Sequence, residues 1–267
     1  MKEFFGFGGY TREPEGYFSI EHLTFVTALM LIMTALAIYF ARKYKHRDLK
    51  AQNRVLIVAA ILIDSLELFK IVITSFVQEN ALAFLYELPL FLCSIQLITI
   101  PLAAFAKGRV REAALDFVCM FGILGAVFGT YFAGQNYACY PVLSFDNVIS
   151  GVTHSISGFC SLYIAMTGLT KLHRRNIPIT LGILSGFCIA AYIANLILDY
   201  NYMFLMRGDG TPYDILYNLV GGNPALYAIG VFALFILYIT AIYAVHQSVI
   251  VHRQAKAAAK EKPAVTV

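Results

Sequence analysis

Seven separated stretches of this chain are long and apolar enough to cross a bilayer, at about 20–41, 55–77, 84–106, 113–133, 148–170, 178–198 and 224–246. A hydrocarbon core roughly 30 Å thick takes about 20 apolar residues at 1.5 Å each. Inside lipid the backbone must satisfy its own polar groups, so such stretches are helices. Composition agrees, with 59% hydrophobic and only 13% charged residues, against about 25% charged in a soluble chain. Charge this sparse cannot cover a water-facing surface, which excludes a soluble enzyme, a disordered chain and a nucleic-acid binder. The expected fold is all-α, a polytopic bundle of seven transmembrane helices.

Lysine and arginine decide the orientation. Sixteen of the 20 positive side chains fall on one side of the seven-span arrangement. They are Arg42 to Arg54 after span one, Lys107, Arg109 and Arg111 after span three, Lys171, Arg174 and Arg175 after span five, and Arg253 to Lys262 in the tail. Only Lys2, Arg12 and Arg207 fall on the other side, and Lys70 lies within a span. The positive-inside rule then places the N-terminus outside and the C-terminus in the cytoplasm of a multi-pass plasma membrane protein. The expected organisation is an outer N-terminal segment (1–19), a seven-helix membrane domain (20–246) and a cytoplasmic basic tail (247–267). Residues 1–18 lack the basic-then-apolar pattern of a cleavable signal peptide. The Ala/Lys-rich stretch from Gln254 reads as a frayed end. The outer loop at 136–147 offers aromatic anchors, and Thr211, Pro212 and Asp214 predict a short capped helix over the outer mouth.

Ionisable groups inside a span cost at least about 2.5–3.5 kcal/mol at the membrane centre, so each needs a partner or a function. Asp64, Glu67 and Lys70 share one face of span two, and Glu67 and Lys70 are spaced for a helical ion pair. Span five carries Asn147, Ser150, His154, Ser157 and Ser161 on one stripe. Span six carries Ser185, Cys188, Tyr192, Asn195 and Asp199 on another. Packing seams account for a single stripe; three of them predict a polar cavity biased toward the outer half of the membrane.

Span three supplies a candidate nucleophile, Cys93, about two turns into the span, beyond Pro89 near the helix start and with Gln96 on an adjoining face. A buried cysteine is ordinarily a small hydrophobe, which is the reading for Cys119, Cys160 and Cys188. Cys93 needs a base or cation to become a thiolate, and His154, at similar depth, is the best base. The six histidines show no metal-binding spacing, and no phosphate-binding or nucleotide motif occurs. No metal and no cofactor is expected. Five cysteines, most of them in apolar runs, imply no disulfide framework.

The run Leu88-Pro89-Leu90-Phe91-Leu92-Cys93, with His154 in span five and Asn201-Tyr202-Met203-Phe204-Leu205 after span six, resembles the bacterial YwaF-like integral membrane proteins. The correspondence covers about Phe18 to Tyr243. That family is similar, distantly, to the eukaryotic transmembrane acyltransferase that forms polyunsaturated ether phospholipids. The resemblance implies Cys93 as the acyl-carrying nucleophile and His154 as its base, and includes Asn201 and Tyr202 in a motif of unassigned role. The bacterial pattern has His at the place of Phe91 and an acidic residue at Ser94, and a Trp-containing motif where this chain reads Gly221 to Tyr227.

Two functional classes follow, with a third as background. The first is a membrane-embedded lipid acyltransferase or transacylase with Cys93 and His154 as the reacting pair and Gln96 or Asn195 stabilising the oxyanion. Asp64, Glu67, Lys70, Ser157, Asn201 and Tyr202 would line its cavity, and membrane lipids would be its partners. The second is a transporter or ligand-binding protein that uses the Asp64, Glu67 and Lys70 cluster as a relay. The third is a non-catalytic assembly protein whose polar seams only pack.

Overall fold

The computed structural model describes residues 2–261, and side chains as far as residue 248. The described residues form helices and turns with no strand. The helices are α1 (Lys2–Phe5), α2 (Ile20–Tyr44), α3 (Leu49–Val77), α4 (Gln96–Phe105), α5 (Gly108–Tyr131), α6 (Gly134–Cys139), α7 (Phe145–Thr167), α8 (Ile177–Leu198), α9 (Tyr213–Leu219) and α10 (Pro224–Glu261). Their ends follow local chemistry. The Ser19, Asp48 and Ser144 side chains accept the backbone N–H groups of His22, Ala51 and Asn147, satisfying donors that a helix start leaves free. Gly168 ends α7 in the left-handed conformation that a residue without Cβ adopts freely.

Five helices, α2, α5, α7, α8 and α10, are long and apolar enough to cross a membrane. α3 has the length, but Asp64, Glu67 and Lys70 interrupt its apolar character. The third expected span differs most. Only α4, of 10 residues, is α-helical there, preceded by a 3₁₀ turn at Ala83–Tyr86 and irregular backbone through Ile95. Pro89 has no N–H to give the carbonyl of Leu85, four residues back. The Tyr202 hydroxyl donates to that carbonyl instead. Cys93 therefore sits in a turn just before α4, not two turns into a helix. The short helix expected after span six is α9, although its N-cap position is Pro212 and no side chain caps it, and the aromatic stretch beginning at 136 is partly helical, as α6. The backbone of α10 stays helical to Glu261, through the first part of the expected frayed tail; 262–267 lie outside the described residues.

α5 is the central helix and divides the core in two. Ala114, Leu115 and Val118 pack toward α2, α3, α4 and α7 with Leu56, Ile63, Ile100, Cys160 and Tyr163. Phe117, Met120 and Phe121 pack toward α8 and α10 with Leu184, Tyr202, Tyr227 and Ile239. Opposite faces of α2, α8 and α10 expose Leu31, Ile197 and Leu237, which suits helices that meet lipid. α5 and α7 approach most closely, because glycines replace side chains at the crossing: a Cβ added at Gly122 would stand 2.5 Å from the Ser157 carbonyl oxygen. At the other end of α5 the buried Asp116 accepts hydrogen bonds from Asn176 Nδ2 (2.9 Å), the Tyr243 hydroxyl (2.8 Å) and the Thr170 hydroxyl. That one carboxylate joins α5, the α7–α8 connection and α10.

Candidate active site

A cavity of about 50 Å³ opens where α3, α7 and the segment before α4 meet, and its walls include Glu67, Lys70, Cys93, Ser94, Ser150, Thr153, His154 and Ser157. The expected nucleophile and its expected base thus share one space with two of the charged residues of span two. Each is brought there by a different feature. Lys70 and Glu67 project from one face of α3, His154 and Ser157 from the polar stripe of α7, and Cys93 from the turn that Pro89 forces.

The imidazole is held in one tautomer. His154 Nδ1 donates to the Ser150 carbonyl, one turn earlier on α7, at 2.7 Å. A carbonyl can only accept, so the proton sits on Nδ1 and the lone pair on Nε2. Nε2 is buried and has no hydrogen-bond partner. The pair is a free base nitrogen and a free thiol in one polar pocket, with no hydrogen bond closed on Nε2. Proton transfer from sulfur to Nε2 would give a thiolate and an imidazolium whose opposite charges support each other away from water.

Beside them stands an ion cluster. Lys70 Nζ lies 3.0 Å from Glu67 on its own helix and 2.8 Å from Glu87 in the segment leading to Cys93. The first contact is the pair expected from sequence spacing; the second, 17 positions away, is one that spacing does not show. Asp64, one turn before Glu67, keeps a buried Oδ1 without a partner and is not among the cavity walls.

Gln96 opens α4, fully buried, one turn after Cys93. Its Oε1 accepts from the Thr99 hydroxyl at 3.2 Å, and its Nε2 has no acceptor. Gln96, expected at the cavity, is not among its walls; what it offers is a buried amide donor without a partner, the kind of group an oxyanion needs. Asn195 is differently employed. Its Nδ2 donates to the Tyr202 carbonyl at 3.0 Å and its Oδ1 accepts from the Tyr202 N–H at 2.6 Å. Asn201 is likewise committed, to Arg207 O, Asp209 and Met206 N. Tyr202 reaches Leu85, and its ring meets Phe91 edge-on at 5.2 Å. Tyr202 thus holds the segment that carries Cys93, while Asn195 and Asn201 brace the turn after α8, and none of the three is among the cavity walls.

Sequence reasoning missed Glu87 and also two glycines. Gly125 and Gly129 on α5 leave the room that Cys93 and His154 occupy. The signal was present, as Gly122, Gly125 and Gly129 at helical spacing within an apolar span. Among the described residues, no group of three or more His, Cys, Asp or Glu side chains could hold a metal ion. Of the remaining cysteines, Cys160 and Cys188 are buried in the two cores, and Cys139 is exposed.

The family model described as the TMEM164 family matches residues 17–243. Neither a curated protein nor a solved structure matches the chain.

Proposed function

The chain belongs to the TMEM164 family, and from that premise we propose that this helical membrane protein is a lipid acyltransferase or transacylase using Cys93 and His154. The observation that carries the reading is the free Nε2 of His154 in the cavity that also holds the Cys93 thiol. Nε2 takes the thiol proton, and the sulfur attacks the carbonyl carbon of a donor phospholipid ester. The carbon–oxygen bond breaks, the imidazolium returns its proton to the departing lysolipid hydroxyl, and the acyl group stays on sulfur. A second lipid alcohol then gives its proton to Nε2 and attacks the thioester, and the carbon–sulfur bond breaks to restore the thiol. The Gln96 amide stabilises the oxyanion in both halves. The balance needs neither metal nor nucleotide.

The same reading proposes seven spans, with α3 and the segment 83–105 completing the set, the N-terminus outside, and the basic tail in the cytoplasm of the plasma membrane. The kinship with bacterial YwaF-like proteins and with the ether-phospholipid acyltransferase belongs to this proposal. A membrane assay with a labelled phospholipid donor tests it. Transfer to an added lysophospholipid, with a thioester on Cys93 that Cys93→Ala abolishes, is the expected result. Absence of both overturns it, and flux in proteoliposomes that survives Cys93→Ala but not Glu67→Gln would instead support the relay reading.

A further inference from the structure

We propose that Gly129, with Gly125 one turn before it on α5, is a positioning residue that sets the separation of the Cys93 sulfur and the His154 imidazole. The inference rests on the Cys93–His154 reading and deepens it.

Gly122, Gly125 and Gly129 fall within about 60° of arc at 100° per residue, so α5 presents one glycine face. Each position receives something different. Gly122 takes the backbone of α7 at Ser157, where an added Cβ would meet the carbonyl oxygen at 2.5 Å and Ser161 Cβ at 2.8 Å. Gly125 takes Cys93, whose Cβ and Cα would lie 3.3 and 3.5 Å from an added Cβ. Gly129 takes the imidazole itself. A Cβ there would fall onto Cδ2 and Nε2. The base nitrogen therefore occupies the volume in which any other side chain at 129 would begin.

The ring has no easy way aside. Its Nδ1 is fixed to Ser150 O at 2.7 Å on its own helix, so swinging it away breaks the bond that holds the tautomer. α5 cannot yield either, since Ala126 and Thr130 beside these glycines are fully buried. Four residues on one rigid helix span about 6 Å, so the thiol and the ring are seated at neighbouring turns of a single ruler. Gly182 and Gly186 on α8, by contrast, have nothing within 4 Å of an added Cβ and serve as controls.

The test is the rate at which full-length protein, purified in phosphatidylcholine nanodiscs, is modified by methyl methanethiosulfonate. Site-resolved mass spectrometry reads Cys93 separately from the other cysteines across a range of pH. Wild-type Cys93 should outpace Cys119, Cys160 and Cys188 at neutral pH, and His154→Ala should slow it about 10²-fold, the lower range for loss of a general base. Gly129→Ala should lose a comparable factor and shift the pH profile toward that of His154→Ala, with unfolding temperature retained, while Gly182→Ala changes nothing. A Gly129→Ala protein with the wild-type rate and profile overturns the inference and leaves the Cys93–His154 pair standing. A wild-type Cys93 with no His154-dependent reactivity overturns the pair, and the inference with it. Should Gly129→Ala fail to accumulate, Gly125→Ala carries the test. Its tight but absorbable contact should slow Cys93 by about threefold, as a sub-ångström misplacement would, and an unchanged rate overturns the inference.

Discussion

Lys70 meets Glu87 at 2.8 Å while holding Glu67 at 3.0 Å on its own helix. One ammonium thus ties α3 to the irregular segment that delivers Cys93. All three side chains are largely withdrawn from solvent, with 12, 14 and 26% of the Lys70, Glu67 and Glu87 side chains exposed. Lys70→Ala strands two carboxylates and should cost roughly 3–5 kcal/mol, as breaking a buried pair does. Lys70→Met combined with Glu67→Gln and Glu87→Gln should regain most of that loss. Thermal unfolding of the purified proteins decides, and equal midpoints for the two variants would show that the cluster is not energetically coupled.

Gln96 gives a prediction of opposite sign for stability and activity. Its Nε2 is buried without an acceptor, and an unsatisfied buried donor costs about 1–3 kcal/mol. Gln96→Leu removes that donor, so the variant should unfold no earlier than wild type. The Thr99 hydroxyl keeps its second acceptor, the Ile95 carbonyl at 3.2 Å. Acyl transfer should fall by about 10²–10³, the usual effect of deleting one oxyanion donor. A stable Gln96→Leu protein with wild-type turnover would remove Gln96 from the mechanism.

The Asp116 node should behave as scaffold alone. Tyr243→Phe removes one of three donors to a buried carboxylate, which should cost about 1.5–3 kcal/mol, the range for bonds to charged groups. Asp116→Ala should cost more, because it also strands Asn176 and Tyr243. Neither change should alter the rate of Cys93 modification, since Asp116 lies more than two turns from Gly125 along α5. A slowed Cys93 in Tyr243→Phe would reveal coupling between the two ends of the helix.

Topology is checked independently of chemistry. Reporters fused after Asn53, Gly108 and Arg175 should register cytoplasm, and those near Asn136 and Asp209 the outside. Gly108 is decisive, because α4 has only 10 residues and a crossing there would need the help of 83–95. An outside signal at Gly108 would reduce the count of crossings.

What the sequence disclosed, and what it concealed, divides by the range of the interaction. Apolar length gave five helices able to cross a membrane, and helical spacing gave the Glu67–Lys70 contact, because both are local. The polar stripe that carries His154 was legible from helical spacing, but its sharing of a cavity with Cys93 depends on how α3, α7 and the segment before α4 pack. Asn195 and Tyr202 show the converse. Asn195, from its polar stripe, and Tyr202, from the resemblance, were expected at the cavity wall, yet their hydrogen bonds go to backbone that Pro89 and the turn after α8 leave unpaired. Pro89 itself was read as a helix start, although its missing donor to Leu85 is what keeps 87–95 irregular. Gly125 and Gly129 were passed over because they carry no reactive atom. Their contribution is empty volume, which only a neighbour's position reveals.

The cavity beside Cys93 measures about 50 Å³, room for three or four water molecules at about 10–15 Å³ each. No phospholipid ester fits it. A lipid served by this thiol must part the walls first, and the wall with the least helical hydrogen bonding is the stretch from 78 to 95, latched by Glu87 and by the Tyr202 hydroxyl. On the proposed acyl transfer, turnover would then have a mechanical ceiling, the frequency with which that stretch lifts, whatever the reactivity of the sulfur.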